Sequence, residues 1–146
     1  MTMKVSVKKI VEAYKMLGEA KVTNLGEAEV VKVIKARKAM RPIAEEFEAF
    51  LKDAQDKFRP EDWEETQKML AKWQEEGEKT TLSEAERIGL NKAVIGYQSA
   101  INKAVSAELE REIEIEFVKL VEGADIKLLS ANGWTIGQLD VIDFIL

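Results

Sequence analysis

Between residues 33 and 54 the apolar side chains recur as Val33, Ala36, Met40, Ile43, Phe47, Phe50 and Ala54, a strict three-four alternation held for three heptads. Only an α-helix, at 3.6 residues per turn, gathers such positions on one side. The stretch therefore predicts a long amphipathic helix whose coiled-coil-like seam needs a partner. Asn24 and Gly26 precede it, and Glu27 and Glu29 put negative charge at the positive end of the helix dipole. Pro42 falls inside the pattern, where it removes a backbone donor and crowds the preceding turn, so a kink or break is expected near Ala39 to Arg41.

A second seam answers the first: Leu90, Val94, Tyr97, Ile101 and Ala104. Ser83 followed by Glu86 forms a capping box that starts this helix, and its stripe makes it the natural antiparallel partner of the long one. Between them Arg59 and Pro60 mark a boundary, since proline suits the first turn of a helix and biases its predecessor away from helical geometry. A helix carrying Trp63, Thr66, Leu70 and Trp73 on one stripe follows, and Gly77 to Thr81 reads as a loop.

The two ends change period. Met3, Val5 and Val7 alternate with Thr2, Lys4 and Ser6, the signature of a short strand with one buried face. Ser6 then caps a helix carrying Val7, Ile10, Tyr14 and Leu17, which ends near Gly18 to Lys21. Beyond Leu109, Ile113, Ile115 and Phe117 alternate with Glu112, Glu114 and Glu116, again a half-buried strand. Ile126 and Leu128 around Lys127 predict a further strand, and Thr135 with Gln138 caps a closing helix bearing Leu139, Ile142 and Ile145. The expected fold is mainly α (α+β). An antiparallel helical hairpin or small bundle occupies residues 25–108. A small β module is formed by the N-terminal strand beside a strand at 112–120 or a C-terminal hairpin, so that 1–21 and 109–146 make a mixed end module of one domain spanning 1–146.

The chain has no cysteine and no histidine, which excludes thiolate nucleophiles, Cys-ligated metals and imidazole general bases. No phosphate-binding loop, nucleophile elbow or dinucleotide fingerprint is present. The expectation is no enzyme, no catalytic residues, no cofactor and no metal. No apolar run approaches the roughly 20 residues of a membrane span, and Met1 to Lys9 lacks the apolar core of a secretory signal, so the expected location is cytoplasmic with no membrane partner.

Charge is segregated along the chain. Residues 1–42 carry ten basic and four acidic groups (net +6), residues 43–86 carry six and fourteen (net −8), and residues 87–146 carry six and nine (net −3). Such segregation draws the parts together within one molecule or pairs neighbouring copies head to tail into a homo-oligomer.

Three sets of residues are candidates for binding. Glu112, Glu114 and Glu116 display carboxylates on one strand face. Residues two apart on a strand sit about 7 Å apart, too far to converge on one cation, so the row reads as a solvated or partner-binding face. Trp134 in its turn is a candidate partner anchor, while Trp63 and Trp73 share an apolar stripe and read as core. Lys32, Lys35, Arg37, Lys38 and Arg41 are the candidate nucleic-acid contacts. They drift around the helix without an interleaved aromatic, and the overall acidity argues against a dedicated binder. The acidic clusters Glu45, Glu46, Glu48 and Glu61, Asp62, Glu64, Glu65 read as solvated faces, the second of them in a helical first turn.

The order of features resembles that of small uncharacterised proteins encoded among the structural and morphogenesis genes of tailed phages and prophages. The features are the opening Lys4, Val5, Val7, Ile10, Tyr14 and Leu17, the Lys-rich then Glu-rich helix from Lys35 to Glu48, and the closing Trp134, Thr135, Gln138, Leu139 and Ile142. The resemblance implies a virion or assembly context with phage structural proteins as partners, virion association as an alternative location, and no residue roles. The resulting expectation is a non-enzymatic protein-interaction module, an assembly accessory or minor structural protein. The alternative is a nucleic-acid-associated regulator using the basic helix 32–41.

Overall fold

The computed structural model describes residues 2–146. In chain order the elements are β1 (Thr2–Ser6), α1 (Val7–Glu19), α2 (Glu27–Phe58), α3 (Trp63–Glu76), α4 (Glu84–Glu110), β2 (Glu112–Glu116), α5 (Ala124–Asn132) and α6 (Ile136–Leu139). Two 3-10 segments, Gly77–Lys79 and Asp140–Ile145, complete them. The chain is mainly α with one small antiparallel sheet formed by its first and last strands.

The residues fall into two compact units, Met1–Ala49 with Glu108–Leu146, and Phe50–Ala107. α2 and α4 contribute residues to both.

In the first unit, β1 and β2 pair in a register that sets Val5 against Ile113 and Met3 against Ile115 on one face, and Lys4 against Glu114 and Ser6 against Glu112 on the other. Val5 and Ile115 are buried, as the period of two requires. The ladder continues one step past the strands, where the Val7 N–H donates to the Arg111 carbonyl at 2.9 Å. The Ser6 hydroxyl then accepts from the Lys9 N–H at 3.3 Å and turns the chain into α1. α1 buries Ile10, Ala13 and Leu17 at spacings of three and four against Val33, Ala36 and Met40 of α2 and Leu128 and Ile142 of the C-terminal segment.

α2 runs unbroken from Glu27 to Phe58 through Pro42, so of the kink or break expected near Ala39 to Arg41 the break does not occur. The reason lies in the orientation of the helix. Val33, Ala36, Met40 and Ala44 are buried while Lys38 and Pro42 are exposed, so the carbonyl that loses its donor faces water and the ring displaces no packed side chain.

The predicted strand at Ile126 to Leu128 is helix α5. Ala124 and Leu128 are both fully buried, four apart on one side of a helix, whereas Ile126 is exposed. Three residues of alternation fit either period, and the tertiary contact selects the helical one. Gly133 ends α5 at φ 63°, in the left-handed region, and the Trp134 N–H reaches back to the Leu129 carbonyl at 3.1 Å. Asn132 fastens the end of this helix to the segment after α1. Its amide oxygen accepts from the Lys21 N–H at 2.6 Å and its amide nitrogen donates to the Lys21 carbonyl at 3.1 Å. Nearby, Lys127 donates to Glu29 at 2.7 Å, and this hydrogen bond holds the Glu29 carboxyl below the usual carboxylate range.

β2 stops at Glu116 rather than near residue 120. The Leu120 N–H instead donates to the Ile145 carbonyl at 2.7 Å. The Thr135–Gln138 capping box forms as expected, but the closing helix is short, and Asp140–Ile145 tightens to 3-10 geometry. Ile142 and Ile145, three apart, then lie on one side and both are fully buried.

The second unit packs α3 and the adjoining parts of α2 and α4. Trp63 and Tyr97 meet at 4.5 Å between ring centroids, and the Tyr97 hydroxyl donates to the Gln55 carbonyl at 3.3 Å. Ala54, Thr66 and Leu90 are its buried side chains among the described residues. The Ser83–Glu86 capping box is closed in both directions, at 3.1 and 3.4 Å.

Candidate interaction surfaces

The period of two places Glu112, Glu114 and Glu116 on the outer face of β2, and all three are exposed. Lys4 stands opposite Glu114 in the register, so the row is interrupted across the ladder by one cation. Among the described residues no group of three or more carboxylates is placed to hold a metal ion.

Trp134 is half-buried and packs against the core of the first unit. It occupies the position after the left-handed Gly133, where an apolar side chain closes the helix end. Trp63 is engaged with Tyr97, and Trp73 lines a depression with Leu70, Gln74, Gly77 and Asn91.

The basic run is divided by the fold. Lys32, Lys35, Lys38 and Arg41 are exposed, and none of them has a hydrogen bond or ion pair among the described residues. Arg37 is engaged within the protein. Its Nε donates to the Tyr14 carbonyl at 3.2 Å and its guanidinium lies over the Tyr14 ring at 3.9 Å. The plane also passes across Gly18, where a Cβ would stand 2.7 Å from the Arg37 Nη2. A side chain read as a surface cation is thus part of the α1–α2 contact.

Of the acidic clusters, Glu45, Glu46 and Glu48 are exposed, and Glu46 approaches Arg111 at 3.9 Å. Arg111 is held mainly by Glu108 at 2.8 Å, which raises its pKa above the usual arginine value. Glu61, Asp62, Glu64 and Glu65 surround the start of α3, all exposed.

One surface lies outside the sequence reading. On α4, Ile88 is 50% and Ile95 is 65% exposed, one heptad apart, and each is followed by a glycine, Gly89 and Gly96, with nothing within 4 Å of where a Cβ would stand. The signal was the Ile-Gly pair repeated at an interval of seven. It was hidden because the neighbouring seam of Leu90, Val94 and Tyr97 is also apolar, so the helix reads as hydrophobic on two sides. Among the described residues no helix is long and apolar enough to cross a membrane.

These features define a mainly α protein with a small antiparallel β module and surfaces formed by exposed helix faces. Comparison of the chain with protein-family models, curated proteins and solved structures finds no match.

Proposed function

We propose that the protein is a non-enzymatic protein-interaction module, acting in the assembly or minor structural complement of a phage or prophage particle. The observation that carries the interaction reading is the outer face of α4. Two isoleucines half exposed or more at heptad spacing, each beside a glycine that leaves room for close approach, make a ridge onto which a helix of another protein packs. The carboxylate row of β2 is a second face, suited to cationic side chains at its rim. The assembly context rests on the resemblance to phage structural-region proteins, and the partner it implies is a capsid, portal or tail component.

Affinity capture of the tagged chain from its source cells, before and after prophage induction, tests the reading. The expected result is recovery of virion proteins after induction, lost on Ile88→Ser with Ile95→Ser and weakened by joint Gln substitution of Glu112, Glu114 and Glu116. Recovery of no virion component from induced cells rejects the assembly role. Binding unchanged by both sets of variants rejects these two faces.

A further inference from the structure

The exposed side of α2 changes sign halfway along. The buried positions Val33, Ala36, Met40 and Ala44 fix which side faces inward, and a stripe flanking it at three-four spacing presents Lys38 and Arg41, then Glu45 and Glu48, with Lys35 displaced around the helix from it. Among the described residues none of these five charged groups has a hydrogen bond or ion pair. Arg41 and Glu45 stand four apart but in the less favourable order for a helical pair, and no bridge forms between them. Lys38 and Glu48 are about 15 Å apart along the axis, at 1.5 Å per residue, beyond mutual reach. The stripe thus carries a basic block followed by an acidic block on one helix, and beyond Glu48 it meets Lys52 in the favourable order for a helical pair.

We propose that this side of α2 pairs with the same side of a second copy of the chain, the two helices running antiparallel. A two-fold axis near Ile43 sets Arg41 against Glu45 and Lys38 against Glu48 of the other copy, and the symmetry repeats both pairs. A parallel arrangement would set like against like, so the charge order itself fixes the orientation. Exposed ion pairs each contribute little, and a single helix pair of this length buries less than the roughly 1,200 Å² of a stable interface. The dimer is therefore weak and screened by salt. It uses neither the α4 ridge nor the β2 row, so it stands independently of the assembly reading.

The test is sedimentation velocity on the full chain from about 10 μM to 1 mM, at low and high salt, with circular dichroism on every variant. The expected result is a concentration-dependent shift from monomer to dimer at low salt that high salt abolishes. Lys35→Glu, Lys38→Glu and Arg41→Glu together give a monomer, as do Glu45→Lys and Glu48→Lys together, and mixing the two variants restores the dimer. Should the triple variant unfold, the milder Lys38→Gln with Arg41→Gln serves, and is expected to weaken the dimer at least several-fold. Wild-type chain that stays monomeric throughout overturns the proposal. So does a dimer that survives both charge reversals, or folded reversal variants that do not associate when mixed. A monomer whose Lys35, Lys38 and Arg41 instead bind a DNA or RNA oligonucleotide in a salt-dependent way also overturns it.

Discussion

At the scale of single residues, the contact most easily misread is Arg37. Its place in a run of five cations marks it as a surface charge, yet its guanidinium is held by the Tyr14 ring and carbonyl and occupies the space above Gly18. Glycine near the end of α1 costs about 0.5–1 kcal/mol relative to alanine in a helix, and the Arg37 contact offsets that cost. The two residues should therefore be coupled. Gly18→Ala is expected to be close to neutral in the wild type, because the new methyl shifts the flexible tip of Arg37 and the weakened Tyr14 contact offsets the gain in helix propensity. In an Arg37→Met background the same change is expected to stabilise by about 0.5 kcal/mol, since only the helix propensity remains. Urea denaturation of the four members of this cycle measures it, and equal effects in both backgrounds would dissolve the coupling. Asn132 makes the same point about position. A residue type that merely suggests a turn becomes, by bonding both backbone groups of Lys21, a clasp between segments over a hundred residues apart.

At the scale of elements, α2 tolerates its proline because the proline faces water. Pro42 still lacks a donor and still costs the helix, while rigidity in the unfolded chain returns part of that cost. Pro42→Ala is accordingly expected to stabilise the protein by about 1–2 kcal/mol, seen as a melting temperature several degrees higher with unchanged helical signal. A lower melting temperature would mean that the proline relieves a strain that the helix does not otherwise show. α5 carries the complementary lesson. Its three-residue alternation is too short to choose between strand and helix, and what chooses is that Ala124 and Leu128 find a core four residues apart.

At the scale of the whole molecule, the two units differ in how much they bury. The first has a contiguous core drawn from both chain ends, with Ile10, Met40, Leu128, Ile142 and Ile145 excluded from solvent. The second has few buried side chains among the described residues and leans on the half-buried Trp63–Tyr97 pair. Local opening free energy follows buried contacts, so amides of α3 are expected to exchange with deuterium faster than those of α1 and the β1–β2 ladder. Uniform protection across both units would show that they open together.

What the sequence determined by itself was everything set by local period and capping. The long seam of α2, the capping boxes at Ser83 and Thr135, the N-cap at Ser6 and the alternation of β1 and β2 are each fixed by residues within one or two turns of each other. That the first and last strands pair also followed, because each is half-buried and neither is long enough to stand alone. What only the tertiary structure decided was which exposed-looking groups have partners. Arg37, Trp134 and Asn132 are drawn inward by segments distant in sequence, while Ile88 and Ile95 are left outside by a helix that has more apolar surface than its neighbours cover. Period measures where a side chain points around its own helix, and only the arrangement of other helices settles whether anything is there to meet it.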